Sequence, residues 1–147
     1  MIEGKVTLPV CGKDEYGVVS CLVGKTRFVN LTPHKITIQT RELGAIDIPP
    51  SGKVLRLQTL SEEVGKIEGI PVVRVSYGKP EFEPPVRENT YYIVSTPVIE
   101  HFSREDFIAP DTSPEGVVRD TSGRIIGTKR FRVGNFAREV HREPTKV

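Results

Sequence analysis

The chain has 147 residues, of which 37% are hydrophobic and 27% are charged, and its net charge is +2. This length is typical of one domain with its own hydrophobic core, and the composition excludes a disordered chain. No apolar run approaches the roughly 18–20 residues of a membrane helix, and the first residues lack a secretory-signal pattern. We therefore expect a soluble cytoplasmic protein that does not contact a membrane.

Short strands are predicted throughout the first half of the chain. Residues 4–10 and 16–23 flank a turn-like Gly-Lys-Asp-Glu cluster, which predicts an N-terminal hairpin. Residues 27–30 and 35–40 follow as strands, and the second alternates apolar and polar side chains as a half-buried strand does. A strand at 45–48 stops at a Pro-Pro-Ser-Gly turn, because proline cannot donate to a strand ladder.

The second half also reads mainly as strands. Strands are predicted at 54–60, 70–77 and 90–94, and a second hairpin at 117–131 turns through a Thr-Ser-Gly step. The intervening segment 61–69 is ambiguous. Its serine can cap one helical turn, whereas its two glycines argue against a longer helix.

Three segments carry helical signals. Thr96 is suited to cap a short helix with Pro97 at its first position. Ser103 followed by Asp106 resembles a capping box, with Asp where Glu is usual. Residues 134–144 have apolar side chains four apart and predict a further short helix.

These elements predict a mainly β domain over residues 1–132, a β-barrel or a sandwich of about eight or nine short strands with one or two short helices. The helix after 90–94 is expected to plug one end or to cover one edge. Residues 133–147 are expected to form a basic C-terminal tail or a short helix.

Cys11 and Cys21 lie on either side of the first predicted turn. In an intracellular protein two cysteines are more often free thiols, although the geometry of a hairpin also allows a cross-strand disulfide. A zinc site needs four ligands and the chain has no Cys-x-x-Cys pair, so we predict no metal and no cofactor.

Positive charge is concentrated at the C-terminus. Residues 124–147 carry seven Lys or Arg and two Glu, a net charge of +5, while the rest of the chain is mildly acidic. A solvated tail that packs on a neighbouring subunit is the first interpretation. The alternative is a nucleic-acid contact, which is expected only through this tail.

The step Asn30-Leu31-Thr32-Pro33-His34 separates two apolar runs. Its Asn and Thr side chains can bond nearby backbone, and Thr before Pro is held extended, so a bend or bulge between strands is the first interpretation. The alternative makes His34 an acid or base paired with Asp106 or Asp111, because histidine titrates near neutral pH. The chain contains no phosphate-loop, GxSxG, HExxH or dinucleotide-binding pattern.

Arginines and aspartates cluster in the last third of the chain. Such clusters usually form structural ion pairs, but arginine also grips phosphate or carboxylate through a bidentate fork. A helix beginning at Thr96 or Ser103 would add free backbone N–H groups for an anion. The predicted ligand-binding residues are Asn30, Thr32, His34, Ser95, Arg104, Asp106, Asp111, Thr112, Arg119 and Asp120.

Several blocks of sequence carry a resemblance to other proteins. These blocks are Asn30 to Ile38, Pro49 to Arg56, Tyr92 to Ser95 with Val98, Arg104 with Asp106, Pro110 to Thr112, and Val118 to Gly127. In these blocks the chain resembles a family of small uncharacterised proteins from bacteriophages, bacteria and archaea. The resemblance spans about residues 28–131 and implies a single domain with a mobile-element or accessory role, but it implies no mechanism.

Three hypotheses for function follow. The first is a binding module for an anionic small molecule, such as a nucleotide, or for a protein partner. The second is a structural or assembly component of a virus or mobile element that forms homo-oligomers. The third is an enzyme that uses His34 as acid or base.

Overall fold

The computed structural model describes residues 9–102 and 104–134, which form a mainly β fold with one short helix. In chain order its elements are β1 (Val10–Lys13), β2 (Val19–Val23), β3 (Thr26–Asn30), β4 (Ile36–Thr40), β5 (Gly44–Ile48), β6 (Leu57–Ile67), β7 (Ile70–Pro80), β8 (Thr90–Ile93), α1 (Thr96–His101), β9 (Phe107–Pro110), β10 (Val117–Arg119), β11 (Ile125–Thr128) and β12 (Phe131–Arg132).

The strands form three sheets. The largest has the order β1-β2-β3-β8-β9-β12, the second has the order β10-β11-β4-β5, and β6 pairs with β7 in a separate two-stranded sheet. Strand β8 runs parallel to both of its neighbours, β3 and β9. The two larger sheets are open at their edges, which corresponds to the sandwich alternative of the prediction.

The six-stranded sheet packs on the four-stranded sheet through an isoleucine-rich layer. Ile93 and Ile108 of the first sheet meet Ile38, Ile46 and Ile48 of the second. All five side chains are buried, so this layer forms one half of the core.

The opposite face of the six-stranded sheet is also buried. Tyr92 and Phe107 point into a second cluster, which includes Val98 and Ile99 of α1 and Leu57 at the start of β6. Burial on both faces explains why 90–94 reads as a continuous apolar run instead of an alternating one.

Helix α1 begins one residue earlier than predicted, because Ser95 occupies the N-cap position and Pro97 lies in the first turn. The helix covers a face of the six-stranded sheet, so the expectation that it plugs an end or covers an edge is wrong. Ser103 lies outside the described residues, and residues 104–106 are not helical.

Strands β6 and β7 form a long hairpin, residues 57–80, that we term the arm. Its two-residue turn, Glu68-Gly69, has positive φ at both positions (50° and 81°), as a type I′ turn requires. Every residue from Gln58 to Lys79 except Val72 is exposed. The ambiguous segment 61–69 is therefore mostly strand, because pairing with β7 outweighs its local helical signals.

Hairpins form in both predicted regions, since β1 pairs with β2 and β10 pairs with β11, but β1 (Val10–Lys13) includes Gly12 and Lys13, which were predicted to belong to the turn. More strands form than were predicted, because very short strands such as β12 carry too few residues to show a period. The predicted strand at 4–10 and the predicted helix at 134–144 fall largely outside the described residues.

Cys11 and Cys21 lie directly opposite each other in β1 and β2, with their Cα atoms 4.0 Å apart, and form a disulfide. The expectation of free thiols is therefore wrong. In the described part of the chain, no helix is both long and apolar enough to cross a membrane. The same residues contain no group of three or more His, Cys, Asp or Glu side chains placed to hold a metal ion.

Candidate functional site

Asn30 lies at the centre of a buried hydrogen-bond network. Its Nδ2 donates to the carbonyl oxygens of His34 (2.8 Å) and Ile48 (3.0 Å). Its Oδ1 accepts from the backbone N–H of Thr32 (3.0 Å) and lies 2.7 Å from the Thr32 hydroxyl. Both side chains are buried and bonded to protein, so they hold the bend that follows β3.

His34 is exposed, and its side chain forms no hydrogen bond or ion pair with the described residues. Only its backbone participates in the Asn30 network, through its carbonyl oxygen and its N–H. The geometry thus gives the enzyme hypothesis no acid–base partner within the described part of the chain.

Arg104 and Asp106 form a bidentate pair at the start of β9. Arg104 Nε lies 2.8 Å from Asp106 Oδ1, and its Nη2 lies 2.6 Å from Oδ2. The third guanidinium nitrogen donates to the carbonyl of Pro84 at 2.6 Å, and the guanidinium lies 4.6 Å from the Phe107 ring centre. Since the pair is mostly buried and bonded internally, it anchors the segment that follows the arm to the sheet.

Asp111 is bonded within its own loop. Its carboxylate accepts from the Ser113 backbone N–H (2.9 Å) and pairs with Arg130 Nε. The Ser113 N–H and the Arg130 guanidinium together lower the pKa of Asp111 to about 2. The neighbouring Thr112 is exposed.

Arg119 and Asp120 stabilise the turn between β10 and β11. Arg119 donates to the carbonyl of Gly123 at 2.7 Å. Asp120 Oδ1 accepts from the backbone N–H groups of Ser122 and Arg124, and the Arg124 N–H is the main cause of a lowered Asp120 pKa. These two residues therefore lie at the end of β10 in the four-stranded sheet, whereas Arg104 and Asp106 lie just before β9 of the six-stranded sheet.

Two of the ten predicted site residues line a common concavity. Thr32 and Ser95 both border a recess of about 390 Å³ at the base of the arm, which we term the groove. The groove is formed by residues 31–33 and 54–59, by α1 with its cap, and by Tyr77 and Glu81. The remaining eight predicted residues do not line it.

Arg56 is the cation of the groove. Its side chain is exposed and forms no hydrogen bond or ion pair with the described residues, in contrast to Arg104 and Arg119. Its backbone carbonyl accepts from the N–H of Glu81 at 2.8 Å, which closes the base of the arm. Arg56 is thus placed to pair with a negative group that enters the groove.

One face of the arm extends the groove outward. Directly opposed residues in an antiparallel pair share a face. On the face that we term face A, the opposed pairs are Thr59–Tyr77, Ser61–Val75 and Glu63–Val73. Because Thr59 and Tyr77 also line the groove, face A runs from the groove toward the tip of the arm. The ring of Tyr77 packs against the ring of His101 in a tilted arrangement, with the ring centres 4.5 Å apart, and this contact fixes the base of face A.

Apolar side chains remain uncovered along the arm. Val73 and Val75 on face A are each 49% exposed, and Ile67 and Ile70 at the tip are each 65% exposed. The opposite face carries Leu60, which is 69% exposed, beside an exposed Glu62–Arg74 ion pair at 3.2 Å. The sequence predicted strands at 54–60 and 70–77, but it did not predict that they would form a separate two-stranded sheet. The exposure of a strand depends on which sheet it joins, and no local pattern encodes that choice.

A second concavity, of about 320 Å³, lies on the six-stranded sheet beside Phe131. The rings of Phe28 and Tyr91 are 6.3 Å apart, and those of Phe28 and Phe131 are 5.9 Å apart. These rings pack against the isoleucine-rich half of the core, so this recess is an extension of the core.

Comparison with protein-family models, with curated protein sequences and with solved structures finds no match to this chain.

Proposed function

We propose that this protein is an assembly module that binds another protein through its arm. The carrying observation is a 24-residue hairpin in which every apolar side chain from Gln58 to Lys79 except Val72 is exposed. The proposal combines the protein-partner form of the binding hypothesis with the assembly hypothesis.

The energetics of the hairpin support this proposal. A two-stranded hairpin alone in water is at best marginally stable, because few of its side chains leave water. Among the residues that the structure describes, the arm is anchored at its base, by Leu57 in the core and by the Tyr77–His101 contact. The distal part therefore gains its stability when a partner covers Val73, Val75 and the tip isoleucines.

The contacts of the predicted anion-binding residues give less support to a small anionic ligand. Arg104 pairs with Asp106 and donates to the Pro84 carbonyl, and Arg119 donates to the Gly123 carbonyl in the turn beside it. Similarly, an exposed His34 without a described partner gives little support to acid–base catalysis. The resemblance to phage and microbial accessory proteins remains a prediction, and an assembly role is consistent with it.

Site-specific photo-cross-linking tests the proposal. A photoreactive phenylalanine analogue replaces Val75 on the arm, and in a matched control it replaces Tyr16, which is 81% exposed in the β1–β2 turn. After irradiation of the cells that produce the protein, we expect a discrete protein adduct from position 75 and none from position 16. No adduct at position 75, or equal adducts from both positions, would refute an arm-mediated interaction.

A further inference from the structure

We infer that the groove of one copy receives the arm tip of a second copy, so that two copies exchange arms reciprocally. This inference rests on the proposed function and identifies the partner. It combines three features of the arm and groove: their relative position, the area they offer and their charge.

The position of the groove relative to the arm favours reciprocal exchange. Each strand of the arm has 11 residues, so the arm extends about 36 Å at about 3.3 Å per residue. The groove lies at the base of the same arm and on the side of face A. If two arms pack antiparallel along face A, the tip of each arm reaches the groove of the other. A two-fold axis makes both contacts identical and closes the assembly at two copies.

The interface area that a stable dimer needs exceeds the area of the arm alone, so the groove has to take part in the contact. One face of the arm measures about 36 Å by about 10 Å, on the order of 360 Å². A stable interface buries roughly 800 Å² on each partner. Packing of the two arms alone falls short of this area, whereas insertion of each tip into a groove adds both tip surfaces and both groove linings.

The residues at the centre of face A suit a two-fold contact. In the antiparallel arrangement the axis passes near the opposed pair Ser61–Val75, midway along each strand. Both side chains are small and uncharged, so the two copies of this pair can meet without like-charge repulsion. The exposed Glu62–Arg74 pair lies on the opposite face and stays in water.

The tip and the groove have complementary charge. Glu68 in the turn carries an exposed carboxylate between Ile67 and Ile70, and among the described residues its side chain has no ion pair. The groove offers apolar walls, such as Leu31 and Val98, together with the cation Arg56 and the carboxylate of Glu81, and the tip likewise carries both Lys66 and Glu68. A tip of this composition therefore fits the groove, with Glu68 of one copy beside Arg56 of the other.

Sedimentation velocity of the full chain over a wide concentration range tests this inference. We expect a reversible dimer that Val75→Glu weakens by about a hundredfold or more, because two carboxylates would meet near the two-fold axis. In the matched control, Val86→Glu alters a residue outside the arm and the groove that is 77% exposed, and we expect no change in dimerisation. Far-UV circular dichroism verifies that each variant remains folded.

A charge exchange tests the arm-to-groove contact itself. Arg56→Glu alone and Glu68→Arg alone each place like charges at both contacts of a homodimer, and we expect about tenfold weaker association. A mixture of the two variants restores opposite charges at both contacts, so it should form the heterodimer in preference to either homodimer. Native mass spectrometry of the mixture measures this preference.

The outcomes separate this inference from the proposed function. Three results would overturn arm exchange between copies. They are a monomer at every concentration, a dimer whose stability Val75→Glu does not change, and statistical mixing of the two charge variants. If position 75 nevertheless cross-links to a different protein, the assembly proposal stands and only the identity of the partner is wrong. If position 75 gives no adduct, both proposals are overturned.

Discussion

Replacement of Asn30 by alanine tests whether the Asn-Leu-Thr-Pro-His step is structural. The substitution removes two donors that reach the His34 and Ile48 carbonyls and the acceptor for the Thr32 N–H. Asn30 is fully buried and Thr32 nearly so, which limits replacement of these bonds by water.

The expected loss is large for a single substitution. Each buried backbone group left without a partner costs about 1–3 kcal/mol. The Thr32 hydroxyl lies 3.1 Å from the His34 carbonyl and can still satisfy it, so two groups, the Ile48 carbonyl and the Thr32 N–H, remain. We therefore expect the free energy of unfolding to fall by about 2–6 kcal/mol, a substantial share of the roughly 5–15 kcal/mol that stabilises a domain.

Urea unfolding followed by circular dichroism measures this change, and a thermal scan should show a midpoint lower by about 6–18 °C. His34→Ala is the matched control within the same step, and we expect a change within about 0.5 kcal/mol because the ring is exposed. An Asn30→Ala loss below about 1 kcal/mol, or a comparable loss for His34→Ala, would refute a structural role for Asn30.

Three further predictions concern stability. Arg104→Met should lower the free energy of unfolding by about 2–4 kcal/mol in urea titration, because it leaves Asp106 (14% exposed) unpaired. Adding Asp106→Asn to this variant should recover part of the loss. Losses of the two substitutions that simply add would contradict the Arg104–Asp106 pairing. The lowered pKa of Asp111 stabilises the fold above pH 3.8, and this contribution disappears as pH falls toward about 2. The thermal midpoint of the wild type should therefore drop more across that window than the midpoint of Asp111→Asn. Equal drops of the two midpoints would contradict a stabilising role for the Asp111 carboxylate. Reduction of the Cys11–Cys21 disulfide should cost about 2.5–3 kcal/mol for a loop with a sequence separation of 10, and a reductant should leave the double alanine variant unchanged; equal responses of the two proteins would contradict a disulfide in solution.

The fold class was predictable because local patterns determine it. Alternation at 35–40, the Pro-Pro-Ser-Gly stop and the glycine-containing turns correctly indicated short strands and hairpins. The same patterns do not specify which strands are neighbours. The parallel pairing of β3 with β8 joins residues some 60 positions apart, and no local signal encodes it.

The candidate site was less predictable for a related reason. The acidic neighbours of Arg104 and Arg119 suggested an anion site, but Arg104 pairs with Asp106, and Arg119 donates to the Gly123 carbonyl and not to Asp120. Arg56 has no such neighbour in sequence and appeared only as part of a strand. Its position at the base of the arm depends on how β6 and β7 leave the core, which the tertiary fold decides.

Hydrogen–deuterium exchange of the arm amides at low and high protein concentration tests the central claim most directly. Arm-mediated association between copies predicts that peptides from residues 57–80 exchange fast in dilute protein and much more slowly at high concentration, while peptides from β4 and β5 do not change. Fast exchange of the arm amides at every concentration, or slower exchange confined to residues outside the arm, would contradict arm-mediated association.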